Sequence, residues 1–295
     1  MNDQDMRENI FADFHSFLSQ RYNKEEGSEY FSNHIHVSSM TACKRQIVMD
    51  YFDFEKKEKT TAEMLMFEIA NFVHRLMAEW ARQSDQWEVL GEEMEVGEGL
   101  PELVNGRLDL FIRHKESGKT VLFDVKTVNP NAFQPWAAPI VKPEHELQVS
   151  TYKMALNNLQ HQVDMLMLTY FDRGGTNSPV FATIDEISPT EINRRMAEII
   201  AVVERYEKTK ELPPLMPLDF KMKGMKVTAK MNWRCAYCDF CGPSCEGWPG
   251  FDRKNYKVVG KVSDGIFQVY DKWAHLSDQI YTGYDIAKMT NLELY

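Results

Sequence analysis

Gly106-Arg107-Leu108-Asp109, then Thr120-Val121-Leu122-Phe123-Asp124-Val125-Lys126, then Gln148 and Tyr152 are the residues on which the fold turns. Leu103 to Arg113 and Thr120 to Thr127 read as strands. His114-Lys115-Glu116-Ser117-Gly118-Lys119 reads as the turn between them, so the spacing predicts a hairpin. Asn129 to Pro143 carries Pro130, Pro135, Pro139 and Pro143, which suits a loop, with Phe133 and Trp136 as candidate anchors. Glu144 to Asn158 reads as a helix. Side chains alternate faces along a strand, so Asp124 and Lys126 project to one side, and the hairpin can bring Asp109 alongside. Gln148 and Tyr152, four apart, share one helix face.

These residue types imply a particular chemistry. Two neighbouring carboxylates repel unless a proton or a cation lies between them. Mg²⁺ answers this, because it takes one or two carboxylates and keeps several waters. Such an ion polarises a phosphoryl oxygen and acidifies a water, and Lys126 can orient that water or neutralise charge on the phosphate. His74 falls within a predicted helix, Ala62 to Gln83, and its imidazole would tilt the preference toward Mn²⁺. Asp-x-Lys alone is common on exposed strands; the information lies in the order, spacing and element types together.

Outward from this stretch, Arg7 to Tyr22 reads as a helix. Ser38 and Ser39 suit the cap of a helix through Cys43 to about Phe52. In the helix Ala62 to Gln83 the apolar residues Leu65, Ile69, Phe72, Val73, Leu76 and Trp80 keep a helical period. Glu88 to Val96, Asp164 to Phe171 and Val180 to Ile184 read as strands, and Ser188-Pro189 opens a helix to about Lys210. From Phe220 to Arg234 there are five cations (Lys221, Lys223, Lys226, Lys230, Arg234) and no acid, which suits a solvated loop or a phosphate grip. The expected division is a helical region at 1–60, a core at 61–210, a cysteine-rich segment at 211–250 and an extension of unknown role at 251–295.

The 295 residues carry 43% hydrophobic and 26% charged residues, enough for a sizeable core. A formal net charge of -10 argues against a general nucleic-acid coat protein while leaving room for a local basic groove. No apolar run reaches the roughly 18–20 residues of a membrane span, and the N-terminus lacks the pattern of a secretory signal, so the expected location is cytoplasmic. Oligomeric state is not legible.

Of five cysteines, Cys235, Cys238, Cys241 and Cys245 cluster and Cys43 stands far away. Cys235-Ala236-Tyr237-Cys238 is a C-x₂-C pair, a spacing that binds Zn²⁺ or an iron–sulfur cluster. The local segment can supply all four ligands by itself.

From about Ser38 to Trp248 the chain resembles the RecB-type branch of the PD-(D/E)XK nucleases, especially the iron–sulfur exonucleases of CRISPR adaptation and their phage relatives. The resemblance implies an α/β, restriction-endonuclease-like core, a central mixed sheet flanked by helices, with a cysteine-ligated cluster subdomain. It matches the family's metal-binding acids to Asp109 and Asp124, its catalytic lysine to Lys126, its ligating histidine to His74 and its glutamine–tyrosine motif to Gln148 and Tyr152. The backbone carbonyl of Val125 would join the metal ligands. One departure is Ala70, where the family often has glycine. The resemblance also implies a 4Fe-4S cluster on Cys43, Cys235, Cys238 and Cys245, leaving Cys241 spare, with Zn²⁺ as the alternative. The implied activity is Mg²⁺- or Mn²⁺-dependent exonuclease action on DNA, single-stranded or with free ends, in recombination, repair or phage DNA metabolism. Two other readings stay open: a non-cleaving iron–sulfur adaptor for a helicase or recombination partner, and a zinc-stabilised endonuclease.

Overall fold

A computed structural model describes residues 3–26, 33–130, 141–216, 219–223, 226–230, 232–245, 256–263, 266–270 and 276–282. Phe133 and Trp136 lie outside the described residues. The elements run α1 (Asp3–Glu26), β1 (Ile35–His36), α2 (Lys44–Tyr51), α3 (Thr61–Gln83), β2 (Trp87–Glu95), β3 (Val104–Asn105), β4 (Arg107–His114), β5 (Thr120–Val128), α4 (Pro143–Asn158), β6 (Met165–Asp172), β7 (Val180–Ile184), α5 (Pro189–Thr209), β8 (Asp219–Lys223), β9 (Lys226–Lys230), α6 (Trp233–Ala236), β10 (Tyr256–Ser263), β11 (Ile266–Tyr270) and β12 (Leu276–Thr282). They form two compact units, residues 1–41 with 59–204, and residues 42–58 with 205–295. No described helix is long and apolar enough to cross a membrane.

The first unit is built on a mixed sheet of order β2-β4-β5-β6-β7. The expected hairpin is present: β4 and β5 pair antiparallel from Arg113↔Thr120 to Leu110↔Phe123. Gly118 turns the chain at φ +70°, a left-handed conformation that glycine adopts without steric cost. β5 then pairs in parallel with β6, with α4 as the crossover between them. Both faces of β5 are covered. Val121, Phe123 and Val125 pack with Leu110, Ile112, Met77, Ala78 and Ala81 on the α3 side. Asp124 and Lys126 take the other face. A strand covered on both sides reads as a continuous apolar run, and here Asp124 interrupts it while fully buried.

Several elements depart from expectation. The strand Leu103–Arg113 is divided at Gly106, because β3 pairs with β1 (Ile35↔Val104) instead of joining the main sheet. Ser38 and Ser39 belong to a 3₁₀ turn whose Ser39 hydroxyl donates to the His36 carbonyl, and α2 starts later, with Cys43 at its N-cap. α3 begins at a Thr60/Glu63 capping box. It buries Met64, Met77, Ala78 and Ala81, whereas Leu65, Phe72, Leu76 and Trp80 are exposed.

In the second unit, β8 to β12 form an antiparallel sheet of order β12-β11-β10-β9-β8. The lysine-rich stretch read as a loop is the β8–β9 hairpin. Its register pairs Lys223 with Lys226, Lys221 with Thr228 and Asp219 with Lys230. Residues 251–295 contribute three of the strands. Residues 42–58, expected within an N-terminal region, are tied to the cysteine segment instead. Lys57 N donates to Asp239 O at 2.9 Å, and the Ser244 hydroxyl donates to Glu55 O at 2.8 Å.

Candidate active site

The central sheet and its two helices bring six of the anticipated side chains together in the first unit: His74 from α3, Asp109 from β4, Asp124 and Lys126 from β5, and Gln148 and Tyr152 from α4. The hairpin register, continued one step past Leu110↔Phe123, sets Asp109 opposite Asp124 on the same face. Asp109 closes the ladder there, its Oδ2 accepting from Val125 N at 2.6 Å. Lys126 Nζ donates to Asp124 Oδ1 at 3.0 Å and to Gln148 Oε1 at 2.9 Å, and Gln148 Nε2 donates to Tyr152 Oη at 3.1 Å. The amide thus links the ammonium to the phenol. Gly106 makes room for this: a Cβ there would lie 2.7 Å from Tyr152 Cε1 and 2.9 Å from Val37 Cγ2.

His74 reaches the same acids from α3. Its Nε2 lies 3.1 Å from Val125 O, and its Nδ1 lies 3.2 Å from Glu93 Oε1 and 3.7 Å from Asp109 Oδ1. Glu93, which the sequence reading did not single out, holds the ring on that side, and its other oxygen pairs with Arg107 Nε at 2.9 Å. Glu93 is a β2 residue with φ +44°, left-handed for a residue that has a Cβ. Such backbone concentrates at functional sites, where surrounding contacts enforce it. The signal that would have found it is pairing: Glu92↔Leu110 and Met94↔Leu108 place Glu93 directly across from Asp109.

Burial sets the electrostatics. It raises the Asp124 carboxyl to about 6, against the opposing pull of the Lys126 ammonium, with Asp109 adding to the rise. Asp109 is raised for the same first reason. Burial alone would lower Lys126, but the Asp124 and Asp109 carboxylates outweigh it and the ammonium is held above its ordinary range. His74 is likewise raised: burial pulls down, and Glu93 and Asp109 pull up more strongly. Next to Lys126, on β6, Tyr170 Oη lies 3.0 Å from His145 Nδ1. Burial and the Lys126 and Lys142 charges lower His145 to about 4, and burial lifts Tyr170 to about 12.

The donors fit a divalent cation. Lys126 Nζ stands 2.9 Å from Asp124 Oδ2, yet its hydrogen bond goes to Oδ1, and Oδ2 is buried without a hydrogen-bond partner. The ammonium still serves both oxygens, and the neighbouring Asp109 and Asp124 carboxylates repel unless a proton or cation lies between them. Donor atoms of His74, Glu93 and Asp109 lie within 4.8 Å of one another. Carboxylate oxygens, a backbone carbonyl and one imidazole suit Mg²⁺ or Mn²⁺.

The cysteines belong to the second unit. Cys43, Cys235, Cys238, Cys241 and Cys245 all line one cavity, with Arg45, Gln46, Met49, Leu215, Met216 and Arg234. Cys241, expected to be spare, lines it too. Burial pushes the Cys235 thiol up to about 12, with the other four cysteines adding to the rise, and burial also raises Cys238 and Cys241. Arg45 Nε is buried without a hydrogen-bond partner.

Among solved structures, an alkaline exonuclease (LHK-Exo) from Laribacter hongkongensis is similar at 13% identity and a TM-score of 0.41, covering 60% of this chain and 93% of that one. LHK-Exo in complex with dAMP is similar at 14% identity and a TM-score of 0.43, covering 63% and 99%. No curated protein matches by sequence. The model of the PD-(D/E)XK nuclease superfamily matches residues 13–244. That span contains every side chain of the carboxylate–lysine group and the hairpin that assembles it, and the chain belongs to the PD-(D/E)XK nuclease superfamily.

Proposed function

We propose that this nuclease is a metal-dependent deoxyribonuclease that hydrolyses phosphodiester bonds, acting as an exonuclease on single-stranded DNA or on DNA ends. The observation that carries the reading is Asp124: a fully buried carboxylate with the Lys126 ammonium 2.9–3.0 Å from its oxygens and Asp109 beside it on the paired strand. Asp109, Asp124, His74 and the Val125 carbonyl would hold Mg²⁺ or Mn²⁺. When bound, the cation supplies Lewis-acid polarisation of a phosphoryl oxygen and a water of lowered pKa. The chain supplies the rest. Lys126, kept protonated by its carboxylate neighbours, offers N–H donors to the attacking water or to charge growing on the phosphate. Gln148 fixes that ammonium and Tyr152 fixes Gln148, so Lys126 is already positioned before substrate arrives.

The second unit extends the reading. The lysine-rich stretch from Lys221 to Arg234 is suited to DNA phosphates despite the net negative charge. Cys43, Cys235, Cys238 and Cys245 would hold a 4Fe-4S cluster of structural role. Zn²⁺ on the same thiols is the alternative. Recombination, repair or phage DNA metabolism is the setting we favour, beside a helicase or recombinase.

The test is digestion of end-labelled DNA, single-stranded and double-stranded, with Mg²⁺ or Mn²⁺. Asp124→Ala and Lys126→Ala should each lower the cleavage rate by at least about 100-fold while the folded circular dichroism spectrum persists. Wild-type rates in either variant would remove the assignment.

A further inference from the structure

We infer that Glu93 is a positioning residue that acts through His74: with Arg107 behind it, it holds the Nδ1 edge of the imidazole and so reserves Nε2 for the cation. The inference rests on the metal reading given above.

Glu93 and Asp109 face each other across β2 and β4, and like charges in that relation repel. His74 Nδ1 lies against both, 3.2 Å from Glu93 Oε1 and 3.7 Å from Asp109 Oδ1. Both Glu93 oxygens are engaged, Oε1 by His74 and Oε2 by Arg107 Nε at 2.9 Å. With both oxygens taken, Glu93 is assigned to the ring, although its donor atom lies within 4.8 Å of those of His74 and Asp109. His74 Nε2 is on the other edge, 3.1 Å from the Val125 carbonyl, which is itself one of the donors assigned to the cation. Histidines that bind metals commonly donate their second N–H to a carboxylate, which fixes the tautomer and the ring orientation. The left-handed backbone at Glu93 (φ +44°) delivers the carboxylate to that edge.

Binding of Mn²⁺ to the full-length protein, followed by the electron paramagnetic resonance signal of free Mn²⁺, tests this without relying on turnover. Glu93→Asn shortens the side chain beyond reach of His74, and asparagine tolerates left-handed backbone. It should weaken Mn²⁺ binding by about 10–100-fold. Glu93→Gln keeps an oxygen that accepts from Nδ1–H, while the half-exposed Arg107 turns to water, so its loss should stay below about 10-fold. Thermal melts in EDTA show that each variant is folded. Wild-type affinity in Glu93→Asn overturns the inference and leaves the metal reading standing. An equal loss in Glu93→Gln and Glu93→Asn also overturns it, since the charge itself would then be on the cation. His74→Ala separates the two claims: unchanged Mn²⁺ binding there removes the metal reading, and this inference with it.

Discussion

Asp109 and Asp124 hold their charge against the pull of burial, which sets a pH signature for the metal-free protein. Both carboxyls have folded pKa values above the ordinary 3.8, Asp124 at about 6. The folded state therefore binds more protons than the unfolded chain between these values. The Asp124 contribution to stability is complete below about pH 4 and is lost as pH rises through about 6, and Asp109 acts in the same direction. Asp109→Asn removes one of the two charges and keeps an oxygen to accept from Val125 N. In EDTA the variant should lose less stability than wild type as pH rises through about 6, measured by denaturant titration. Adding Mn²⁺ at pH 7 should stabilise the wild type more than the variant. Parallel pH curves for the two proteins would contradict the assigned strain. At this scale the sequence was informative where a fixed order of elements brings side chains together: Asp109, Asp124, Lys126, Gln148 and Tyr152 all arrive at one place. Glu93 was not legible, because its role depends on a strand pairing and on a backbone conformation that no motif announces.

Elements become readable when their periodicity agrees with their burial. The β4–β5 hairpin was legible because its turn carries glycine and its strands are apolar on both faces. The face of α3 was not, since Ala78 and Ala81 are what approach the sheet, and small residues give a weak periodic signal beside exposed Phe72 and Trp80. The break at Gly106 escaped notice because it is a matter of contact: Tyr152 of α4 lies against the backbone there. Gly106→Ala puts a methyl group 2.7 Å from Tyr152 Cε1. It should cost about 1–3 kcal/mol of stability, read from the denaturation midpoint. Since Tyr152 anchors Gln148 and thus Lys126, cleavage should fall further than stability alone explains. An unchanged midpoint would mean that the α4 packing adapts freely.

Across the whole molecule, chain order and spatial order part company. Residues 42–58 join residues 205–295, with the long stretch that carries the carboxylate–lysine group between them in sequence. The return of the flanking segments to each other was not readable, because it is encoded in contacts such as Lys57 with Asp239. The thiols follow that arrangement. If Cys43, Cys235, Cys238 and Cys245 bind the cluster, Cys43→Ala should abolish iron content and visible absorbance in anaerobically purified protein, and Cys241→Ala should keep both. The reverse pattern would assign the site to the four clustered cysteines alone. A chain arranged this way also has a schedule. Cys43 leaves the ribosome about 200 residues ahead of Cys245, an interval of roughly 10–40 s at 5–20 residues per second. During that time its thiol has no assembled cavity to enter, so maturation of this unit begins only once Cys235 to Cys245 have been made, and chains terminated before them leave Cys43 without its partners.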